Sequence, residues 1–230
     1  MRISELSRRS GVPVATIKYY LRENLLPKGE AVSATQSRYS EEHLKRLRLV
    51  RALVEVAEVP LGRIRSVLRA VDDPELDLHT LLGFAQYAFT QSPEAPSGDD
   101  PDWQRAEHRT AELLAQLGWQ AHEASPARGQ LVQAVAALER LGTPPTPEML
   151  HGYAAAAHRT AELDLDCVDP GMPREATVQQ VVTTSALMEQ TLTALRLLAQ
   201  EDESARRFGR GPWQHERPED GGAVEGRARE

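Results

Sequence analysis

The sequence predicts a mainly α fold, and three observations carry the prediction. Aromatics make up only 5 % of the chain against 40 % hydrophobics, apolar residues recur at three- and four-residue steps, and Gly and Pro separate the periodic runs. Ala and Leu dominate the apolar set, which favours helices over sheets rich in β-branched and aromatic side chains. With 230 residues the chain can form two modest domains, or one domain and a tail.

Residues Ile3 to Arg9 put Ile3 and Leu6 on one face of a short helix. Gly11 stops it, since glycine tolerates the positive φ of a tight helix-ending turn, and Pro13 suits the first turn of the next helix. That second helix runs through Arg22 with Val14, Ile17 and Leu21 facing inward, and Thr16, Lys18, Tyr19 and Arg22 outward. Tyr20 lies close to the inward phase, so core packing and an outward role both remain open for it. Two short helices joined by a glycine turn, the second with a polar and basic outer face, have the architecture of a DNA-reading helix-turn-helix.

Leu25-Leu26-Pro27 closes that unit, and residues 28–37 read as an extended loop or hairpin. Ser40 with Glu41 and Glu42 starts a third helix carrying Leu44, Leu47, Val50 and Val54 inward. A fourth begins at Val59-Pro60-Leu61, buries Leu61, Ile64, Val67, Leu68 and Val71, and ends at Asp72-Asp73-Pro74. A fifth holds Leu78, Leu81, Leu82, Ala85, Ala88 and Phe89, and the Pro-, Ser-, Gly- and Asp-rich stretch from Ser92 to Pro101 is a linker. Further helices are expected near 102–118, 127–141, 146–165 and 175–203. Within them AEHRTAEL at 106–113 recurs as AAHRTAEL at 156–163, which places two helices equivalently in a duplicated or pseudo-symmetric bundle. The last helix spaces Val178, Val181, Ser185, Met188, Leu192, Leu195 and Ala199 as a coiled coil does, for use as core or as dimer interface. Residues 205–230 turn Arg-, Gly-, Pro- and Glu-rich and are expected to be disordered.

The net charge of -7 hides an asymmetry: residues 1–70 hold 14 Lys and Arg against 7 Asp and Glu, and the remainder 13 against 27. A basic segment on an acidic protein is drawn to a polyanion, because each cation that neutralises a phosphate releases condensed counterions. The bland alternative is a solvated basic face. The single cysteine, Cys167, can form neither an internal disulfide nor a thiolate metal site alone, which fits a reducing cytoplasm. The N-terminal MRISELSRRS has no apolar signal region, and no stretch approaches the roughly 20 apolar residues of a membrane span. A soluble, cytoplasmic, nucleoid-associated protein is expected.

The string RISELSRRSGVPVATIKYYLRENLLP, followed by a wing and SEEHLKRLRLVRAL, resembles the MerR family of transcription regulators. The resemblance spans residues 1 to about 71 and rests on the Gly11-Val12 turn, the Tyr19-Tyr20 pair, Leu25-Leu26-Pro27 and Tyr39-Ser40. It implies a winged helix-turn-helix whose second helix enters the major groove, a wing that touches the DNA backbone, and a long helix that pairs two subunits. Carried over by position, Thr16, Lys18 and Tyr19 face base edges or nearby phosphates, Tyr20 takes the place of the second tyrosine, and Arg38 and Tyr39 match the wing-to-helix junction. Arg22 joins the same DNA-binding set. Two departures stand out: Thr35-Gln36-Ser37 replaces the common Gly-Tyr-Arg, and Leu21 replaces the acidic residue after the tyrosine pair. The resemblance also implies a homodimer that untwists an over-long promoter spacer and so acts on RNA polymerase indirectly.

The expected organisation is a DNA-binding domain over 1–72, a linker and dimerisation helix over 73–91, a flexible linker over 92–101, an all-α helical-bundle domain over 102–204 and the tail. Branches of the family that sense metals use several cysteines, and this chain has one. An organic small-molecule effector, held in the helical domain by Trp103, Trp119, Met149 and Tyr153 with Met172 near, is the expectation, against ordinary core roles for these residues. No cofactor or bound metal is expected. One rival is a ligand-independent DNA-bound scaffold. A remote rival is a metal-dependent enzyme, because His108/Glu112 and His158/Glu162 each set two ligand types one helical turn apart, although such pairs are also ordinary helix-surface contacts.

Overall fold

The computed structural model describes residues 1–33, 36–96 and 99–209. Helix α1 (Ile3–Ser10) ends at Gly11, whose φ of 71° lets its N–H reach the Ser7 carbonyl. A Cβ there would also lie 3.2 Å from Arg51 Nη1, so that guanidinium, which donates to the Ser10 carbonyl at 3.0 Å, would have to shift by a few tenths of an ångström. Helix α2 (Val14–Arg22) follows with Pro13 as its N-cap rather than its first helical residue. Its buried positions are Ile17 and Tyr20, while Val14 and Leu21 are half-buried. The inward face is thus turned slightly from the expected Val14-Ile17-Leu21 line.

Strands β1 (Glu30–Ser33) and β2 (Gln36–Arg38) pair antiparallel, Glu30 opposite Arg38 and Ala31 opposite Ser37, with an irregularity between Ala31 and Ser33. Met1 fastens the base of this hairpin: its ammonium donates to the Tyr39 carbonyl at 2.6 Å, and the Tyr39 N–H returns a bond to the Met1 carbonyl at 2.8 Å.

Helix α3 (Glu41–Arg51) starts at Ser40, whose backbone N–H donates to His43 Nδ1 at 3.1 Å. Histidine here does the reaching back that Glu or Gln does in the usual capping box. The sequence predicts α-helix through Val54, but the chain widens at Ala52 into a π turn (Ala52–Val56), with the Ala57 N–H bonded to the Ala52 carbonyl at 3.0 Å. The looser turn keeps both Leu53 and Val59 in the core. Helices α4 (Leu61–Asp72) and α5 (Leu78–Phe89) follow, the latter capped by the Asp77 carboxylate on the Thr80 N–H.

Helices α6 (Pro101–Leu117), α7 (Pro126–Arg140), α8 (Pro147–Asp166) and α9 (Arg174–Phe208) complete the described chain. Residues 205–208, expected to be disordered, are the last helical residues of α9; residues 210–230 of that expected tail lie outside the described residues.

The first core gathers Leu6, Ile17, Leu25, Leu47, Leu53 and Ile64, and it also takes in Leu81, Ala85 and Ala88 of α5 and Val178 and Val182 of α9. The helix expected over 73–91 as a separate linker and pairing element is therefore committed to this core, with Phe84 and Tyr87 left exposed. Leu81, Ala85 and Ala88 lie on one face at i, i+4 and i+7, and that face meets α4. A second, smaller core joins Ala106 of α6 to Val132, Val135 and Ala136 of α7, with Trp103, Leu131 and Leu150 packed against it. Ions tie the same helices: Arg140 reaches Asp100 at 3.0 Å, and Glu139, only 8 % exposed, sits between Arg105 and Arg109. The Arg109 Nε to Glu139 Oε1 approach is 2.9 Å, yet Oε1 has no well-aligned donor, so this contact is ionic rather than a directed hydrogen bond. By contact density the chain divides into Met1–Leu187 and Met188–Glu230. The described part of the second unit is the distal portion of α9 and Gly209.

Candidate nucleic-acid interface

The glycine turn positions α2. Ser7 Oγ donates to the Val12 carbonyl at 2.6 Å, Ser10 Oγ accepts from the Val12 N–H, and Val12 itself is buried. With Ile17 and Tyr20 facing the core, Lys18 and Arg22 come out exposed and Thr16 and Tyr19 half-buried beside them. The Arg22 guanidinium lies 5.8 Å from the centre of the Tyr19 ring, a cation–π distance that orients both groups on the outer side of the helix. Arg38 is exposed at the end of β2.

Ion pairing separates the basic residues of this half into two sets. Arg8 holds Glu5, Arg9 holds Glu41 through two bonds of 2.5 and 2.9 Å, Arg46 holds Asp72, Arg51 holds Glu55 and Arg65 holds Glu23. The Arg9 contact drives the Glu41 carboxyl below its ordinary range and Arg9 above its own. Glu42 in the same way raises Lys45. Lys18, Arg22 and Arg38, by contrast, make no ion pair among the described residues. Their charge is uncompensated and aimed at solvent, which is what attraction to a polyanion requires.

Two of the expected contact residues lie elsewhere. Tyr20 is 4 % exposed and Tyr39 7 %, and both belong to the first core. Burial pushes the Tyr20 phenol above its ordinary pKa, which keeps it neutral. The Tyr39 ring stands edge-on to His43 at 5.2 Å. Both rings are occupied in holding α2 and the wing rather than presented on the outer face. The outer side of α4 carries cations that its apolar spacing does not signal: Arg65 and Arg69 line a cleft of about 490 Å³ together with Lys28, Asn24 and Gly62.

The expected effector residues are dispersed. Trp103 lines a groove of about 650 Å³ with Glu107, His108, Glu123 and Arg128. Trp119, Met149 and Tyr153 are not part of that groove. Trp119 stacks on His158 at 6.0 Å, while Met149 and Tyr153 are each 54 % exposed on α8. Met172 is half-buried before α9. His108 contacts Glu112 at 3.2 Å and His158 contacts Glu162 at 3.7 Å as exposed pairs along single helices. Among the described residues no three His, Cys, Asp or Glu side chains converge as a metal site would need.

A glycine-turned helix pair with unpaired cations on its second helix and a two-stranded wing at its side defines the winged helix-turn-helix class. Residues 1–71 match the family described as MerR HTH family regulatory protein, so this segment is a helix-turn-helix domain of that family. It is 34 % identical over 68 residues to the HTH-type transcriptional regulator ZntR homolog of Haemophilus influenzae, covering 30 % of this chain and 50 % of that protein. It is 31 % identical over 83 residues to the mercuric resistance operon regulatory protein of Bacillus cereus, covering 36 % and 62 %. The chain thus matches only about half to three fifths of these curated relatives. A likeness over almost the whole chain is to the crystal structure of the candidate transcriptional regulator SCO5550 from Streptomyces coelicolor A3(2): TM-score 0.68, 40 % identity, 93 % of this chain and 100 % of that one. The curated relatives are named as regulators, not enzymes, and the metal-dependent enzyme reading is set aside. No helix of the described residues is long and apolar enough to cross a membrane.

Proposed function

We propose that the protein binds double-stranded promoter DNA as a homodimer and regulates transcription, with α2 in the major groove and the wing against the backbone. The observation that carries this reading is the unpaired set Lys18, Arg22 and Arg38, exposed on α2 and the wing while neighbouring arginines are spent on carboxylates. Thr16 and Tyr19 complete the contact surface. Each cation placed on a phosphate contributes affinity that falls with salt, and a lysine or arginine on a guanine edge contributes sequence choice.

The dimer distorts the promoter and acts on RNA polymerase through that distortion. Bending or untwisting DNA costs several kcal/mol by elastic estimates, so an effector need change only how well the bent form is held. The effector is an organic small molecule bound in the helical domain, and the open groove beside Trp103 is its candidate site. Trp119, Met149 and Tyr153 stay in the candidate set as residues of the same domain.

The test is selection of bound genomic fragments followed by titration of one selected duplex. Lys18→Ala and Arg22→Ala should each weaken binding and reduce the slope of log affinity against log salt by about one per lost phosphate contact. Unchanged affinity and slope in both variants would remove α2 from the interface.

A further inference from the structure

The cleft of about 490 Å³ beside α4 holds charge that the α2 interface does not use. The loop leaving α2 brings Lys28 to it, α4 brings Arg65 and Arg69, and α3 brings Arg46, whose side chain is only 8 % exposed. Four cations thus line the cleft against one lining carboxylate, Asp72. Apolar surface comes from Leu25, Leu26 and Leu68, all three buried.

Ion pairs answer only half of that positive charge. Arg46 holds Asp72, and Arg65 holds Glu23 at 2.6 Å. Lys28 makes no ion pair among the described residues, and neither does Arg69, which donates to uncharged oxygens, the Arg65 carbonyl at 3.4 Å and the Ser66 hydroxyl at 3.2 Å. Arg65 and Arg69 also stand at i and i+4 on α4, where like charges destabilise a helix. An anion entering the cleft relieves that repulsion and is drawn there by the summed field of the cations.

We infer that this cleft takes a phosphate group, held by Lys28 and Arg69, as a site additional to the contact surface of α2 and the wing. Two uncompensated cations match the charge of about −1.5 to −2 on a phosphate monoester at pH 7, and the planar guanidinium fork fits two phosphate oxygens at once. The volume falls within the roughly 300–1,000 Å³ of small-ligand sites. A free organic phosphate presents this group together with a carbon body suited to the leucine lining. The backbone of a bound duplex presents the same chemistry as a phosphodiester. In both cases Lys28 directly precedes Gly29 at the base of the wing, so an occupied cleft ties the entry of the wing to α4.

The test titrates the full chain with phenyl phosphate and, separately, with a duplex at matched ionic strength, using variants whose helix content circular dichroism has verified. Beside Lys28→Gln and Arg69→Gln, a third variant, Gly62→Glu, sets a carboxylate at the cleft without crowding it, since a Cβ at Gly62 meets nothing within 4 Å. A free ligand gives saturable phenyl phosphate binding that each of the three variants weakens at least about tenfold and that Lys18→Ala leaves unchanged. A backbone phosphate gives no such saturation, but a slope of log affinity against log salt about one lower for Lys28→Gln and for Arg69→Gln than for wild type. If neither titration separates the cleft variants from wild type, the inference is overturned. The response of Lys18→Ala in the same duplex titration then reports on the α2 interface by itself, so loss of the cleft and loss of the DNA reading are told apart.

Discussion

The Arg174 guanidinium, in the first turn of α9, donates to the Val71 carbonyl at 3.1 Å across 103 residues of sequence. It reaches the Ala70 and Leu76 carbonyls at 2.9 and 2.7 Å as well. The last carbonyls of α4 have no partners within their own helix, and a cation at that end is favoured by the helix dipole. Arg63 serves α5 likewise, donating to the Ala88 and Thr90 carbonyls. Arg174→Ala should lower unfolding stability by about 2–3 kcal/mol, the scale of lost charge-assisted hydrogen bonds in a half-buried site. Arg174→Lys should recover less than half of that, because one ammonium cannot span three carbonyls as the planar fork does. Urea denaturation of the three proteins checks both expectations.

Gly29 is required by space alone. A Cβ built there would stand 2.8 Å from the Arg38 carbonyl oxygen and 3.0 Å from the Tyr39 ring, so Gly29→Ala must push the base of the wing apart. Overpacking of this kind costs roughly 1–3 kcal/mol, and here it falls on a hairpin whose strands are exposed throughout. Affinity for a selected duplex should drop while the helical circular dichroism signal is unchanged. Equal affinity for wild type and variant would show that the wing makes no contact that matters.

Asp100 and Asp77, each at a helix start, should contribute to acid sensitivity beside Glu41 and Glu148, whose carboxyls are also held below their ordinary range. Asp100 accepts from the Trp103 and Asp102 N–H groups and pairs with Arg140, and Asp77 accepts from the Thr80 N–H. These bonds hold both carboxyls below their ordinary value of 3.8. A folded-state pKa below the unfolded one means that the stabilisation is complete above the unfolded value and is lost as the pH falls through the folded one. Between about pH 5 and 2 the urea midpoint should therefore decline, and Asp100→Asn with Asp77→Asn should flatten that decline. An equally steep decline in the double variant would place the acid-labile groups elsewhere.

Much of this architecture is local and can be read from sequence. Gly11 and Pro13 punctuate the first two helices because backbone conformation is written into those residue types, and the four-helix pattern through Val71 follows from apolar spacing. What escapes is long-range. Nothing near Val178 and Val182 says that they join a core some hundred residues earlier, and the Leu81-Ala85-Ala88 face reads equally well as a pairing stripe or a buried one. The octapeptide repeat makes the limit plain, since near-identical residues are buried in α6 and uncovered in α8. At the interface, the outward phase of Lys18 and Arg22 was legible. The ion pairs that occupy Arg9, Arg46, Arg51 and Arg65 depend on partners 4 to 42 residues away, and no local pattern separates those arginines from the unpaired ones.

The adjacent tyrosines should part company when substituted. Tyr19 is half-buried beside Arg22, its ring 5.9 Å from that of Tyr20, and its side lies toward the outer face of α2. Tyr20 fills the core between α2 and the helices behind it, next in space to Glu55 and Arg51, which perturb its phenol. Tyr19→Ala removes a hydroxyl that can reach a phosphate oxygen and the ring that orients Arg22, so it should weaken duplex binding with little loss of stability. Tyr20→Ala empties a buried site and should cost about 3–5 kcal/mol of folding stability, whereas Tyr20→Phe keeps the ring volume and should leave DNA affinity unchanged. The informative comparison is Tyr19→Phe against Tyr20→Phe on one duplex at two salt concentrations. If Tyr20→Phe weakens binding as much as Tyr19→Phe does, the Tyr20 hydroxyl reaches DNA from within the core edge, and the division of labour between the two rings is wrong.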